Sequence, residues 1–418
     1  MKTKLLTLFA LLGIQLTQAE EKLGYVFEFV RHGARAPQLA EPGVFKVPTG
    51  MLTSSGQRQR YLIGSLNKAK YFERAGLIDE VYNPTQVYIQ STNVFRAIQS
   101  SYAELIGIYP PNQQAAGLTS GEKDSLKSGK GMPKLKIRNT EASNDDSMDG
   151  FQYIPVFNYF EPNPKDDLLT QGCKYIDDSD KYFYPRNETY TDVADFILPI
   201  VRGPLQQAYE LTDDQAWKMS FVDVYQYSDS SLAEDFEGVP RRYNYTAEQW
   251  YYLRNAQKFA LTLTFPDEYK KIYITKMFRN PLQAMHQRIF DIQDGDHNRD
   301  TLRYFIYSAH DYQIANILEW LNPVDHDFVD VPYGSQVFIE LFYDTDCIYS
   351  LRDESCFNVR LSHNGMPLKL DTCLEGNANR GSHSERCTYT DFRKHIAKIS
   401  YNDTFDNMCG KQFTPPQP

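Results

Sequence analysis

The run Arg31-His32-Gly33-Ala34-Arg35-Ala36-Pro37 sets a histidine between two arginines. Arginine forks fit the oxygens of a phosphate or carboxylate, and a glycine lets backbone approach an anion closely. The run is therefore a candidate anion site, with Arg31 and Arg35 as anion binders on either side of His32. A solvated basic turn is the bland alternative, weakened because an apolar run leads straight into the motif. Two further stretches share this placement. In Ser91-Thr92-Asn93-Val94-Phe95-Arg96 a helix start would offer free N–H groups and partial positive charge, and Arg96 would add donors. Taken alone, an arginine in a first turn is usually solvated. In Tyr307-Ser308-Ala309-His310-Asp311 a His-Asp pair stands between a strand and a helix. Such a pair is most often structural; at a third strand end it becomes a functional candidate.

The elements that must position these residues can be read from apolar patterning. Residues 25–30 are apolar except for Glu28, as expected of a strand buried on both faces. Glu28 needs a partner that the sequence does not name. Residues 86–90 and 303–307 read as two more strands, and 336–342 followed by 357–361 as an antiparallel hairpin at a sheet edge. A helix is expected over 54–75, with Tyr61, Leu62, Leu66 and Phe72 on its apolar face and Thr53 or Ser54 as its cap. Ser91 or Thr92 would cap a helix running to about Ile108. A helix over 312–321 carries Ile314, Ile317, Leu318 and Leu321 on one face and stops at Asn322-Pro323. Strand–helix alternation predicts an α/β fold with a mixed central sheet and helices on both faces. Ligands on such sheets bind at the carboxyl ends of strands, where all three stretches lie. Residues 118–150 read as a surface loop, and 190–293 as mainly helical. The expected division is a core of 20–115 and 300–405, a smaller, mostly helical cap inserted at 116–299, and a tail at 406–418, disordered from Phe413.

The chain has 418 residues and a formal net charge of -10, which excludes an electrostatic footprint for nucleic acid. Lys2 and Lys4, an apolar run from Leu5 to Leu16, and Thr17-Gln18-Ala19 read as a signal peptide over 1–19. No later run is apolar enough for a transmembrane anchor. Six cysteines fit an exported protein with disulfides, although they allow 15 connectivities. Cys347 and Cys356 flank the expected hairpin, so local pairing is one option. Asn187, Asn244 and Asn402 begin glycosylation triplets. The expected location is the secretory pathway, either the lysosomal lumen or outside the cell.

Together the three stretches resemble the histidine acid phosphatases of the phosphoglycerate mutase-like superfamily. Leu52-Thr53-x-x-Gly56-x-x-Gln59 is similar to that family's next block, and His310-Asp311 to its closing motif. The resemblance runs over about 23–115 and 300–400. It implies His32 as nucleophile, Asp311 as proton donor, and Arg31, Arg35, Arg96 and His310 as phosphate ligands, with no metal or cofactor. It also suggests Cys173–Cys409 and Cys373–Cys387. Two departures stand out. Asn93 replaces the usual Asp, so Arg96 would be held less firmly, and Tyr312 replaces a small hydroxyl residue, which makes the mouth more aromatic.

This set suits hydrolysis of phosphate monoesters. One positive charge about 4 Å away, at an effective dielectric of about 20, is worth about 4 kcal/mol, enough to keep His32 neutral in acid. Asp311, raised by a nearby phosphate dianion, would protonate the leaving alkoxide. The nearest rival is phytase-like activity, which would want more Lys and Arg lining the cap. A secreted binding protein on a phosphatase fold would be expected to lack His32, Arg35 or Asp311. A homodimer is compatible with the sequence, which does not fix the oligomeric state.

Overall fold

The computed structural model describes residues 21–41, 43–111, 119–126, 151–160, 163, 165–168, 173–183, 186–263, 267–295, 301–373 and 384–415. The expected signal peptide and residues 127–150 of the expected loop lie outside these residues, while 120–125 are helical where a loop was expected.

β1 (Glu21–Arg31) runs through the middle of the sheet. It is followed by α1 (Ser54–Asn67), a π-helical stretch over Lys68–Arg74, β2 (Val87–Ser91) and α2 (Phe95–Ile108). Among the described residues seven helices come next: α3 (Ser120–Ser125), α4 (Lys174–Phe183), α5 (Glu188–Ala208), α6 (Asp213–Trp217), α7 (Phe221–Phe236), α8 (Ala247–Thr262) and α9 (Asp267–Gln293). β3 (Tyr304–Ala309), α10 (Asp311–Leu321), β4 (Gln336–Asp344), α11 (Thr345–Ser350) and β5 (Phe357–His363) resume the alternation. β6 (Met366–Leu368), β7 (Cys387–Thr388), α12 (Tyr389–Ile399) and α13 (Phe405–Cys409) complete the described chain. The sheet order is β2-β3-β1-β4-β5-β6, with β7 paired to β5. β1, β2 and β3 are mutually parallel, and β4 joins β1 antiparallel, so the sheet is mixed. The β4–β5 pair is antiparallel, with β6 beyond it.

The period of two along β1 explains the layers. Tyr25, Phe27 and Phe29 face one buried cluster, which holds Phe278, Met285 and Ile289 of α9 and Ile314 and Leu318 of α10. Val26 and Val30 face the other, with Tyr71, Phe72, Leu105 and Ile108. Glu28 points into that second layer and finds its partners there. Tyr304 Oη donates to it, Gln336 Nε2 donates at 2.6 Å, and Asn67 Nδ2 at 3.1 Å. Asn67 also donates to Glu104, which accepts from buried Arg60.

α1 differs from its expected face. Leu62 is 46% and Leu66 69% exposed, while Gly56, Arg60, Gly64 and Asn67 are buried. The reason is close packing on α2: a Cβ at Gly64 would collide with the Glu104 carbonyl, and one at Gly107 with that of Tyr61. Thr53 caps α1 as expected, accepting from Gly56 N. Neither Ser91 nor Thr92 caps α2, whose N-cap residue is Val94. α10 buries all four of its expected residues and ends at Asn322 in the left-handed region, φ 43°.

α5, α7 and α8 bury Val201, Leu205, Val224 and Leu253 in a separate apolar cluster. The tail departs from expectation. Residues 405–409 are helical, and the Phe413 ring lies 5.6 Å from Tyr175 and 5.8 Å from Tyr182. Apolar contact and a disulfide hold this stretch in place. The three disulfides are Cys173–Cys409, Cys347–Cys356 and Cys373–Cys387, and they fit a secreted or lysosomal protein. Asn244 and Asn402 are exposed, whereas Asn187 caps α5 and donates to Leu263 O at 2.7 Å. Among the described residues no helix is long and apolar enough to cross a membrane.

Candidate active site

The parallel strands β2, β3 and β1 are neighbours, so their carboxyl ends deliver the three candidate stretches to one place. His32 N donates to Ala309 O at 3.0 Å, and Thr92 N to Ser308 O at 3.1 Å. α1 fixes the motif loop from beneath. Ala34 N donates to Gln59 Oε1 at 3.2 Å, and Gln59 Nε2 to Tyr333 O at 2.7 Å. Gly33 has a different reason from the one expected. Its N–H donates to Ser100 Oγ at 3.0 Å, and a Cβ there would lie 2.5 Å from Gly56 O. The glycine makes room for α1.

The tautomer of His32 follows from its partners. Nδ1 lies 2.8 Å from Gly33 O, and a carbonyl can only accept, so Nδ1 carries the proton. Nε2 then has a lone pair, which accepts from Arg96 Nε at 3.0 Å. Burial, followed by Arg31, His310, Arg96 and Arg35, holds the His32 pKa well below the ordinary value. His310 Nε2 is 2.9 Å from Thr92 Oγ1, and its ring centroid is 5.4 Å from that of His32. Burial and then Arg96 push His310 down to about 3. Tyr312 stacks on the His310 ring at 5.8 Å.

Asp311 is buried beside Arg31, with Oδ2 2.6 Å from Nη2, and accepts from Tyr312 N at 2.9 Å. Burial pushes its pKa up, but Arg31, Arg35 and His310 outweigh that and hold it below the usual carboxylate value. Arg31 also donates to Val331 O and lies over the Tyr333 ring at 4.3 Å. Arg35 makes a two-pronged pair with Asp229 of α7 at 3.0 and 2.9 Å. Burial and the like charges of Arg35 and Arg31 lower the Arg96 pKa.

These groups surround a cleft of about 340 Å³, lined by His32, Arg35, Arg96, His310 and Asp311 and rimmed by Tyr159, Phe160, Tyr225 and Tyr312. Arg31 stands behind Asp311. A larger cavity, about 960 Å³, lies at the opposite ends of the strands beside Leu23, Arg303 and Tyr343. Its lining carries cations and carboxylates, among them Arg74, Arg303, Glu73 and Glu340, but among the described lining residues there is no histidine or cysteine to act as nucleophile, so size does not select the site. All six candidates are therefore brought together. Sequence reasoning missed Asp229 and Tyr225, which arrive from α7 with no local motif to mark them. It also missed the Thr92 contact to His310. Among the described residues no group of three His, Cys, Asp or Glu side chains is placed to hold a metal.

Residues 22–364 match the family model described as histidine phosphatase superfamily (branch 2). The chain is 34% identical to Xenopus laevis lysosomal acid phosphatase over 113 residues, 26% of this chain and 25% of that protein. It is 33% identical to mouse lysophosphatidic acid phosphatase type 6 over 79 residues, 19% of each chain. These matches thus span about a quarter or less of the relatives' length. Among solved structures, apo Hafnia alvei phytase superposes with a TM-score of 0.59 at 14% identity, covering 94% of this chain and 99% of that one. Citrobacter braakii phytase gives 0.55 at 15% identity, covering 93% and 99%. At such identities the superpositions speak for the fold alone. The family match does more, because it covers most of the chain, including all three strand ends that build the cleft. The chain belongs to the histidine phosphatase superfamily, branch 2.

Proposed function

We propose that the protein is an acid phosphatase that hydrolyses phosphate monoesters through a phosphohistidine on His32. The carrying observation is the proton on His32 Nδ1, which leaves the Nε2 lone pair on Arg96, with Arg35 lining the same cleft. A nucleophile must be unprotonated when its substrate is bound in acid, and burial among cations keeps it so. Arg35 and Arg96 neutralise the phosphoryl oxygens, and Arg96 exchanges its bond to Nε2 for one to the substrate.

Below pH about 6 a phosphate monoester is largely a monoanion that still carries a proton. Asp311 is held as a carboxylate in the free site and takes that proton as the ester binds. His32 Nε2 then attacks phosphorus, the P–O bond to the leaving group breaks, and Asp311 returns the proton to the departing oxygen. Water next attacks the phosphohistidine, the P–N bond breaks, Asp311 takes the water proton, and Nε2 recovers its lone pair.

The rim favours esters with a single phosphate. Among the described lining residues there is no cation beyond Arg35 and Arg96, whereas an inositol polyphosphate would need more. The separate cluster of α5 to α8 serves as the cap; α9 belongs with the sheet it covers. The disulfides support a secretory route ending in the lysosome or outside the cell. A binding protein without catalysis would have no use for a complete His32, Arg35 and Asp311 set.

Protein quenched in mid-turnover should carry acid-labile phosphate on His32, and His32→Ala should be folded and inactive. Label on a serine, or activity retained in His32→Ala, overturns the reading.

A further inference from the structure

The motif loop is covered by one face of α7. Asp229 pairs with Arg35, and Tyr225, one turn earlier, lines the cleft with Asp311. One turn later Ala233 is packed with Ala34 and Tyr333. Phe236 meets the Tyr333 ring at 5.7 Å, and Glu237, just past the helix, accepts from Thr53 and Ser55 at the start of α1. Residues 225, 229, 233 and 236 lie on one helical face. This is therefore a continuous seam between α7 and the loop that carries His32.

Asp229 has the most specific contact in that seam. Its carboxylate takes Arg35 Nη1 at 3.0 Å and Nη2 at 2.9 Å, and Nη1 also donates to Ala36 O at 3.3 Å. Arg35 Nε is buried and has no hydrogen-bond partner. Both residues are nearly inaccessible, at 5% exposure each. A guanidinium is planar, so fixing its two terminal nitrogens fixes the direction of Nε. We propose that Asp229 is a positioning residue for the phosphate site: it holds the Arg35 fork from behind so that Nε is presented to the phosphoryl group. The proposal rests on the phosphatase reading and names a part of that site which comes from α7.

Charge makes the test decisive. With neutral histidines, three arginines and the carboxylates of Asp311 and Asp229 leave the site with one net positive charge. If Asp229 only damped that charge, removing it would tighten phosphate. If it positions Arg35, removing it weakens phosphate despite the gain in positive charge.

The measurement is the competitive inhibition constant of inorganic phosphate at one acidic pH, with kcat on p-nitrophenyl phosphate. It is made for the wild type, Asp229→Asn, Arg35→Ala and the double variant, beside thermal unfolding. Asp229→Asn should weaken phosphate about tenfold, within the coupling seen between contacting charged residues, and lower kcat. The double variant should be no more than about twofold weaker than Arg35→Ala, because Asp229 acts through Arg35. Tighter or unchanged phosphate in folded Asp229→Asn, or multiplying losses in the double variant, overturns the proposal. Should Asp229→Asn fail to fold, Asp229→Glu replaces it. That variant keeps the charge but shifts the fork by one methylene, so phosphate should still weaken, and an unchanged constant again overturns the proposal. A wild type that neither turns over a monoester nor binds phosphate would overturn the parent reading itself, an outcome visible before any variant is compared.

Discussion

In the proposed mechanism Asp311 protonates the leaving group while lying 2.6 Å from Arg31, which favours its ionised form. Its role is best tested by the leaving group and not by overall rate. An alkoxide leaves only with a proton, whereas p-nitrophenolate largely leaves without one. Asp311→Asn should therefore lower kcat/KM for an alkyl phosphate by roughly 100-fold more than for p-nitrophenyl phosphate, the lower end of general-acid contributions. Equal losses on the two substrates would remove Asp311 from the role. At this scale the sequence was informative where chemistry is local: His32 with its arginines, Arg96, and His310 with Asp311 all sit in short stretches at strand ends. It was silent on Asp229, because a single aspartate in the helical run Tyr225–Ser231 has no spacing that points to Arg35. Arg96, three residues after Asn93, donates from Nε to the His32 imidazole, and its charged neighbours are Arg35, Asp311, Arg31 and Asp229.

Elements were legible where apolar periodicity is the whole story, as in β1, β3 and α10. α1 was misread because its buried face is made of Gly56, Arg60, Gly64 and Asn67. Two glycines let the α1 and α2 backbones meet, and the polar residues then reach Glu28 and Glu104 in the second layer. A hydrophobicity pattern carries no signal for contact through backbone. The packing itself can be tested. Gly64→Ala places a methyl against the Glu104 carbonyl, a backbone atom that can move only if a helix moves. We expect a loss of about 2–3 kcal/mol in urea unfolding, in the upper range for overpacking. Gly121→Ala in α3, where an added Cβ meets nothing within 4 Å, should be neutral or stabilising by about 0.5 kcal/mol. A neutral Gly64→Ala would mean that α1 does not depend on this close approach.

Across the whole molecule, two buried sets of titratable groups pull stability in opposite directions along the pH axis. His32, His326, His310 and His363 all have pKa values lowered by burial first, the last two to about 3 and about 4. The unfolded chain binds more protons than the folded one between those values and about 6.5, so stability rises with pH across that window and is complete above it. Glu104 does the reverse. Burial raises its pKa well above the carboxylate value, Arg60 offsets part of this, and Glu28 adds to it. Its contribution is complete below its unfolded pKa, about 4.3, and is lost as pH rises toward the folded value. Of these two sets Glu104 is the one whose contribution falls as pH rises, so it supplies an alkaline limb. Arg60 pairs with Glu104 and Asn67 bridges Glu104 to Glu28, and a proton on Glu104 makes that side chain neutral. Gln at position 104 is neutral in the same way and still offers an N–H to Glu28. Glu104→Gln should therefore unfold in urea near the wild-type midpoint at pH 5. At pH 8 it should be more stable than the wild type, because it has no proton to lose. The histidine contribution is common to both proteins and cancels in the comparison. A variant equally weakened at pH 5 and pH 8 would show that Glu104 is ionised throughout and that the alkaline limb arises elsewhere.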